Sequence, residues 1–190
     1  MQCKRYFFVI RRPVKLRIPI EMLKMPFKSH VLTQPFLNHL AGQFQLDFRG
    51  VHGIAHWLRV VINGRMIAKH LDVNLKVIEL FALIHDSRRW NHLSDINHGL
   101  RAADFCNSLN GKWFAANETE MRLLRTACRY HSDGKLHPNL TVQTCWDADR
   151  LDLGRVDIEP DRTYLGAYSA SRLDLVSSAT ERSKQTFLGL

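Results

Sequence analysis

The sequence predicts an all-α protein. Three observations carry that expectation. Apolar residues recur three and four positions apart through most of the chain, as in "IAHWLRVVINGRMIAKHL" from Ile54 onward. Strict apolar–polar alternation, the mark of a half-buried strand, is scarce. Helix starts are also visible: "NETE" at 117–120 sets an asparagine three residues ahead of a glutamate, the pattern of a reciprocal N-terminal cap.

The elements follow in order. Residues 33–43 read as a short first helix, and Gly50 and Gly53 bracket a turn. Residues 54–71 place Ile54, Trp57, Leu58, Val61, Met66 and Leu71 at helical spacing, with Asn63-Gly64 as a candidate kink. Residues 74–86 are apolar on most sides (Leu75, Val77, Ile78, Leu80, Phe81, Leu83, Ile84), which predicts a central buried helix. A polar loop spans 87–95, and a further helix covers about 96–109 through Ile96, Leu100, Ala103, Cys106 and Leu109. The helix capped by Asn117 runs to about His131 through Leu123, Leu124, Ala127 and Cys128. Thr141 is the expected cap of the next, which carries Val142, Cys145, Trp146 and Ala148. After Gly154 the pattern loosens, and 161–183 reads as a weaker, partly helical tail.

Composition narrows the class. The 190 residues are 45% apolar and 24% charged, as in an ordinary globular domain with a sizeable core. No run of about 18 apolar residues predicts a transmembrane helix, so no membrane partner is expected. Cys3, Cys106, Cys128 and Cys145 show no paired metal spacing and no disulfide framework; they read as free thiols of a cytoplasmic protein. The last three stand in apolar contexts and are expected in the core.

The net charge is +9, but seven Lys/Arg against the single Glu21 lie within residues 1–25. The basicity belongs mostly to this N-terminal arm, so nucleic acid is not the expected partner. The arm resembles neither a signal peptide nor a stable amphipathic helix. It is expected to be a strand, a loosely attached arm, or sequence upstream of a true start at Met22 or Met25, with one domain over 26–190.

The ten histidines bear on chemistry. His56 lies on the 54–71 helix. His85-Asp86 ends the buried helix, His98 opens the next, His131 ends the one after, and Asp149 sits on the last. Each core-facing helix delivers an imidazole or carboxylate near one end. Burying such groups unpaired costs several kcal/mol. A shared cation removes that cost, and neutral imidazoles and carboxylates suit first-row divalent metals. Neighbouring residues on a helix differ by about 100°, so His85 and Asp86 can face one ion where the helix frays. Of the three aspartates at 147, 149 and 152, Asp149 is preferred because Cys145 and Trp146 put it on the core side. Asp152 shares part of that face, and Asp147 is expected to be exposed.

The ordered segments "HWLRV" (56–60), "LIHDSRR" (83–89), "HGLRAADF" (98–105), "YHSDG" (130–134) and "DADRLDLGR" (147–155) carry a resemblance. Over about residues 30–155 the chain resembles the HD-domain superfamily of metal-dependent phosphohydrolases. The resemblance implies an HD-like helical bundle with a metal site at its centre. It implies that His56, His85, Asp86 and Asp149 hold a first divalent ion. It further implies that Asp86 bridges to a second ion on His98 and His131. Only eleven residues separate Asp86 from His98. Two expectations therefore stand side by side: one ion or two, with His98 otherwise a proton donor or a phosphate contact.

The ion could be manganese, iron, zinc, magnesium or nickel; ligand type does not choose among them. The implied reaction hydrolyses a phosphoester or phosphoanhydride of a small phosphorylated molecule, a nucleotide included, with Asp86 and His98 as the catalytic groups. Arg88 and Arg89 are expected to grip phosphoryl oxygens, with Lys135 a weaker candidate, and His52 and His92 to contact substrate. Arg59 is expected to brace the site or pair with a carboxylate rather than touch substrate. Asp95 and Asp133 are candidate acids or partners of His98 and His131. His30, His39, His70 and His137 read as surface. Two alternatives share the scaffold: an HD-type di-iron oxygenase, and a non-catalytic module that binds an anion or nucleic acid.

Overall fold

The computed structural model describes Ser29 and residues 31–185. The basic arm, Cys3 and His30 lie outside the described residues. The described residues form helices and no strand: α1 Gln34–Gln43, α2 Ile54–Ala68, α3 Leu75–Ile84, α4 His98–Leu109, α5 Glu118–Tyr130, α6 Leu140–Arg150, α7 Ala167–Ser171 and α8 Leu173–Ser183. Two short 3-10 turns, Leu153–Val156 and Arg162–Tyr164, lie between α6 and α7. The all-α class is therefore the one observed. No helix among these residues is long and apolar enough to cross a membrane.

Side-chain caps start four of the helices. Thr33 caps α1, accepting the Phe36 N–H at 3.4 Å. Asn74 caps α3, accepting the Val77 N–H at 3.1 Å. Asn117 and Glu120 satisfy each other's backbone N–H groups at the head of α5, each at 2.9 Å, as the sequence predicts. At α6 the cap is Asn139, not Thr141: the Asn139 side chain accepts from the N–H groups of Thr141 and Val142. Thr141 is already inside the helix. Its hydroxyl instead accepts the Asn74 N–H at 3.0 Å, tying the head of α3 to the head of α6.

α2 runs unbroken through Asn63-Gly64. The glycine serves a crossing. A Cβ at Gly64 would lie 2.4 Å from Ile78 Cγ2, so α3 can approach α2 only over a bare backbone. Asn63 Nδ2 donates to the Ala148 carbonyl at 3.0 Å and so fastens α6 to the same face.

α3 is the centre of the bundle, buried from Val77 to Ile84 and packed on α2, α5 and α6, while α4 leans on α5. The main core runs through Phe36, Trp57, Phe81 and Trp146, and Cys106, Cys128 and Cys145 are free thiols within it. A smaller core of Ile67, Leu151, Leu165, Leu175 and Ala179 seats the C-terminal helices against the end of α2.

Candidate metal centre

The site assembles where α2, α3 and α6 meet. The last residue of α3 is Ile84. His85 keeps helical dihedrals, and the chain then turns. This turn lets both His85 and Asp86 face inward, and both are buried. His85 Nδ1 donates to the Phe81 carbonyl at 3.1 Å, which leaves Nε2 as the inward atom. His56 reaches it from α2, its Nε2 lying 3.0 Å from His85 Nε2. Asp149 on α6 brings Oδ1 to 3.4 Å from His56 Nε2 and 3.6 Å from His85 Nε2. Asp86 Oδ2 closes the group at 3.7 and 3.9 Å from the same two nitrogens. With metal–ligand bonds of about 2.1 Å, adjacent ligand atoms are about 3.0 Å apart in octahedral and about 3.4 Å apart in tetrahedral coordination. His56, His85 and Asp149 come close to these spacings and could hold a metal ion, with Asp86 Oδ2 beside them.

A second cluster adjoins the first through Asp86. Its Oδ1 lies 3.3 Å from His98 Nε2 and 3.6 Å from His131 Nε2, and the two nitrogens are 2.8 Å apart. His131 Nδ1 donates to the Cys128 carbonyl at 2.7 Å, and His98 Nδ1 to the Asp95 carbonyl. The pair meets because α4 approaches α5 at Gly99, where a Cβ would lie 2.6 Å from the Cys128 oxygen. The groups His56–His85–Asp149 and His85–Asp86–His131 could each hold a metal ion.

Electrostatics favour the same conclusion. Burial, aided by Arg155, pushes His56 down to about 4. Burial and the His131 ring do the same to His98, also to about 4. Both are neutral near pH 7 and present lone pairs. His85 is the exception. Burial alone would lower it, but Asp86 and Asp149 outweigh burial and raise it. The carboxyls of Asp86 and Asp149 are held well below the carboxylate range despite their burial, principally by His85. Asp86 Oδ1 is buried with no hydrogen-bond partner. The cation that faces it is the Arg89 guanidinium, with Nη1 at 3.5 Å.

Neighbouring residues fix these ligands. His52 Nδ1 donates to Asp86 Oδ2 at 2.9 Å, and its ring stacks on His92 at 5.8 Å. Asp152 is the functional residue the sequence reading passed over. It is fully buried, accepts from His56 Nδ1 at 2.7 Å and from Arg59 Nε at 2.6 Å, and so sets the His56 tautomer. The spacing of three between His56 and Arg59, matched by three between Asp149 and Asp152, was its available signal. Arg155 flanks this pair, donating to the carbonyls of Val51 and Asp152 at 2.9 and 3.1 Å.

Several expectations are corrected. Asp147 is buried, not exposed: it accepts from Gln143 Nε2 at 2.7 Å and from the Gly166 N–H at 3.0 Å, under the C-terminal segment. Arg88 does not face the site; its guanidinium lies 4.8 Å over the Phe105 ring, because the turn at 85–88 sends Arg88 and Arg89 to opposite sides. Asp95 serves His98 through its backbone carbonyl, while its carboxylate holds the Trp90 N–H and Arg101. Asp133 and Lys135 pair with each other, away from the ligand atoms. His39 is half-buried, stacked 4.4 Å from Trp113. His70 is exposed, as expected, and stacks on Tyr168, while His137 is half-buried and accepts the Asn139 N–H.

A cavity of about 570 Å³ opens onto both clusters. Asp86, His98, His131 and Asp149 form its floor. Arg89, His92 and Leu93 line one wall, and Leu153, Val156 and Tyr164 the other.

No family model, curated protein or solved structure matches the chain. What the site can do follows from its own atoms. They offer a floor of nitrogen and carboxylate ligands, a buried guanidinium beside it, and room for a small molecule above.

Proposed function

We propose that the chain is an HD-type metal-dependent phosphohydrolase acting on a small phosphorylated molecule, nucleotides among them, with His56, His85, Asp86 and Asp149 holding a divalent ion. One observation carries the reading: buried His56, His85 and Asp86 converge with the part-buried Asp149, the two Nε2 atoms 3.0 Å apart and a carboxylate oxygen of each aspartate 3.4–3.9 Å from them, under a cavity that a guanidinium also lines. When bound, such an ion supplies acidified water and a Lewis-acid contact to a phosphoryl oxygen.

The chain's own groups do the rest. His52 orients Asp86, and Asp152 orients His56. Arg89 presents Nη1 to the cavity floor, placed for a phosphoryl oxygen. His98, neutral near pH 7, can take up a proton at Nε2 and return it to the leaving group. The described cysteines are free thiols, in keeping with a reducing cytoplasm.

The test is anaerobic hydrolysis of aryl phosphate mono- and diesters and nucleoside phosphates, with manganese, nickel, zinc or magnesium added singly. Turnover lost in excess chelator, and an Asp86→Ala variant without bound metal, are the expected results. Hydrolysis that survives chelation, or full metal occupancy in Asp86→Ala, overturns the reading. A coloured protein that consumes dioxygen would mark an oxygenase instead. Salt-sensitive nucleic-acid binding without turnover would mark a binding module.

A further inference from the structure

The second cluster contains a cation of its own. Arg89 Nη1 lies 3.5 Å from Asp86 Oδ1 and 3.4 Å from His98 Nε2. These two atoms are the ones through which a second ion would be bridged. The arginine is buried, at 8% exposure, and its other nitrogens are committed. Nε donates to the Asn91 carbonyl at 3.3 Å and Nη2 to the Leu93 carbonyl at 3.0 Å. The loop is thus wound around its own guanidinium.

That loop is also fixed from outside. Asp95 holds the Trp90 N–H at 2.7 Å and Arg101, and Arg101 donates to the Arg88 carbonyl at 3.1 Å. Only eleven residues separate Asp86 from His98, so the connection is short and its arginine is turned into the site. With metal–ligand bonds of about 2.1 Å, an ion bonded to both Asp86 Oδ1 and His98 Nε2 would stand at most about 4.3 Å from Nη1. A guanidinium and a second cation at that range would repel each other.

We infer that Arg89 takes the place of the second metal, so that the chain holds one divalent ion although both additional histidines are present. The inference rests on the metal-centre reading above. The guanidinium compensates Asp86 Oδ1 and offers Nη1 to the phosphoryl oxygen that a second ion would otherwise polarise. His98 and His131 are then free of metal. Their facing nitrogens accept from Arg89 or exchange a proton.

Metal stoichiometry tests this without any substrate. Manganese titration of the full chain, read by calorimetry and by elemental analysis after gel filtration, should give one ion per chain. Arg89→Met should give two. Arg89→Met combined with His98→Ala should return to one, placing the gained ion on His98. Arg89→Gln repeats the comparison should the methionine variant fold poorly. Electron paramagnetic resonance should show an isolated manganese in the wild type and a coupled pair in Arg89→Met. Two ions in the wild type, or one in both neutral variants, overturns the inference and leaves the metal centre standing. No bound ion in any variant overturns both.

Discussion

The carboxylate of Asp152 shows how much of this site is decided one residue away from the ligands. Its two oxygens are divided between His56 Nδ1 and Arg59 Nε. The first contact fixes which imidazole nitrogen is free to ligate, and the second holds the carboxylate in place. Asp152→Asn retains the shape but lowers the basicity passed to His56. Metal affinity, measured by calorimetric titration, should fall about 10- to 100-fold, with the helical circular dichroism unchanged. Undiminished affinity would reduce Asp152 to a packing residue. At this scale the sequence was only partly legible. Asp149 could be chosen because Cys145 and Trp146 mark the core side of its helix. Asp147 could not be placed correctly, because the residues that cover it come from beyond Gly154 and Gly166. Arg88 and Arg89 are adjacent and chemically alike, and only the geometry of the turn sends one to Phe105 and the other to Asp86.

At the scale of elements, the approach of α4 to α5 depends on a missing side chain. A Cβ at Gly99 would stand 2.6 Å from the Cys128 oxygen and 2.8 Å from that of Arg129, both backbone atoms with little room to move. Gly99→Ala should therefore push the two helices apart and cost about 1–3 kcal/mol in urea unfolding. Unchanged stability would mean that the interface is slack. The same displacement should separate His98 from His131 while leaving the His56–His85–Asp149 group, carried by α2, α3 and α6, in place. Helix identities were legible from apolar spacing and capping residues, with α5 the clearest because its capping box is complete. Boundaries were less so. The helix expected from residue 96 begins at His98, since Ile96 is 89% exposed and belongs to the loop. Gly64 looked like a break because sequence shows a glycine but not the helix that crosses over it.

For the molecule as a whole, a metal held by side chains drawn from several helices, as proposed, would couple its binding to folding. An ion that binds the folded chain and not the unfolded one stabilises by about 2.7 kcal/mol at 100 times its dissociation constant. The midpoint of thermal unfolding should rise with added manganese and fall back with excess chelator, and Asp86→Ala should show neither change. A wild-type midpoint indifferent to both would remove the ion from the folded state. By itself the sequence determined the helical class, the buried α3, the core thiols and which histidines and aspartates stand at the inner helix ends, because apolar periodicity and helix-end chemistry are local. Tertiary structure alone decided which aspartate supports His56, which arginine faces Asp86 and which glycines let helices touch. Those outcomes depend on distances between segments as far apart as His56 and Asp152, and no local pattern encodes a distance across the bundle.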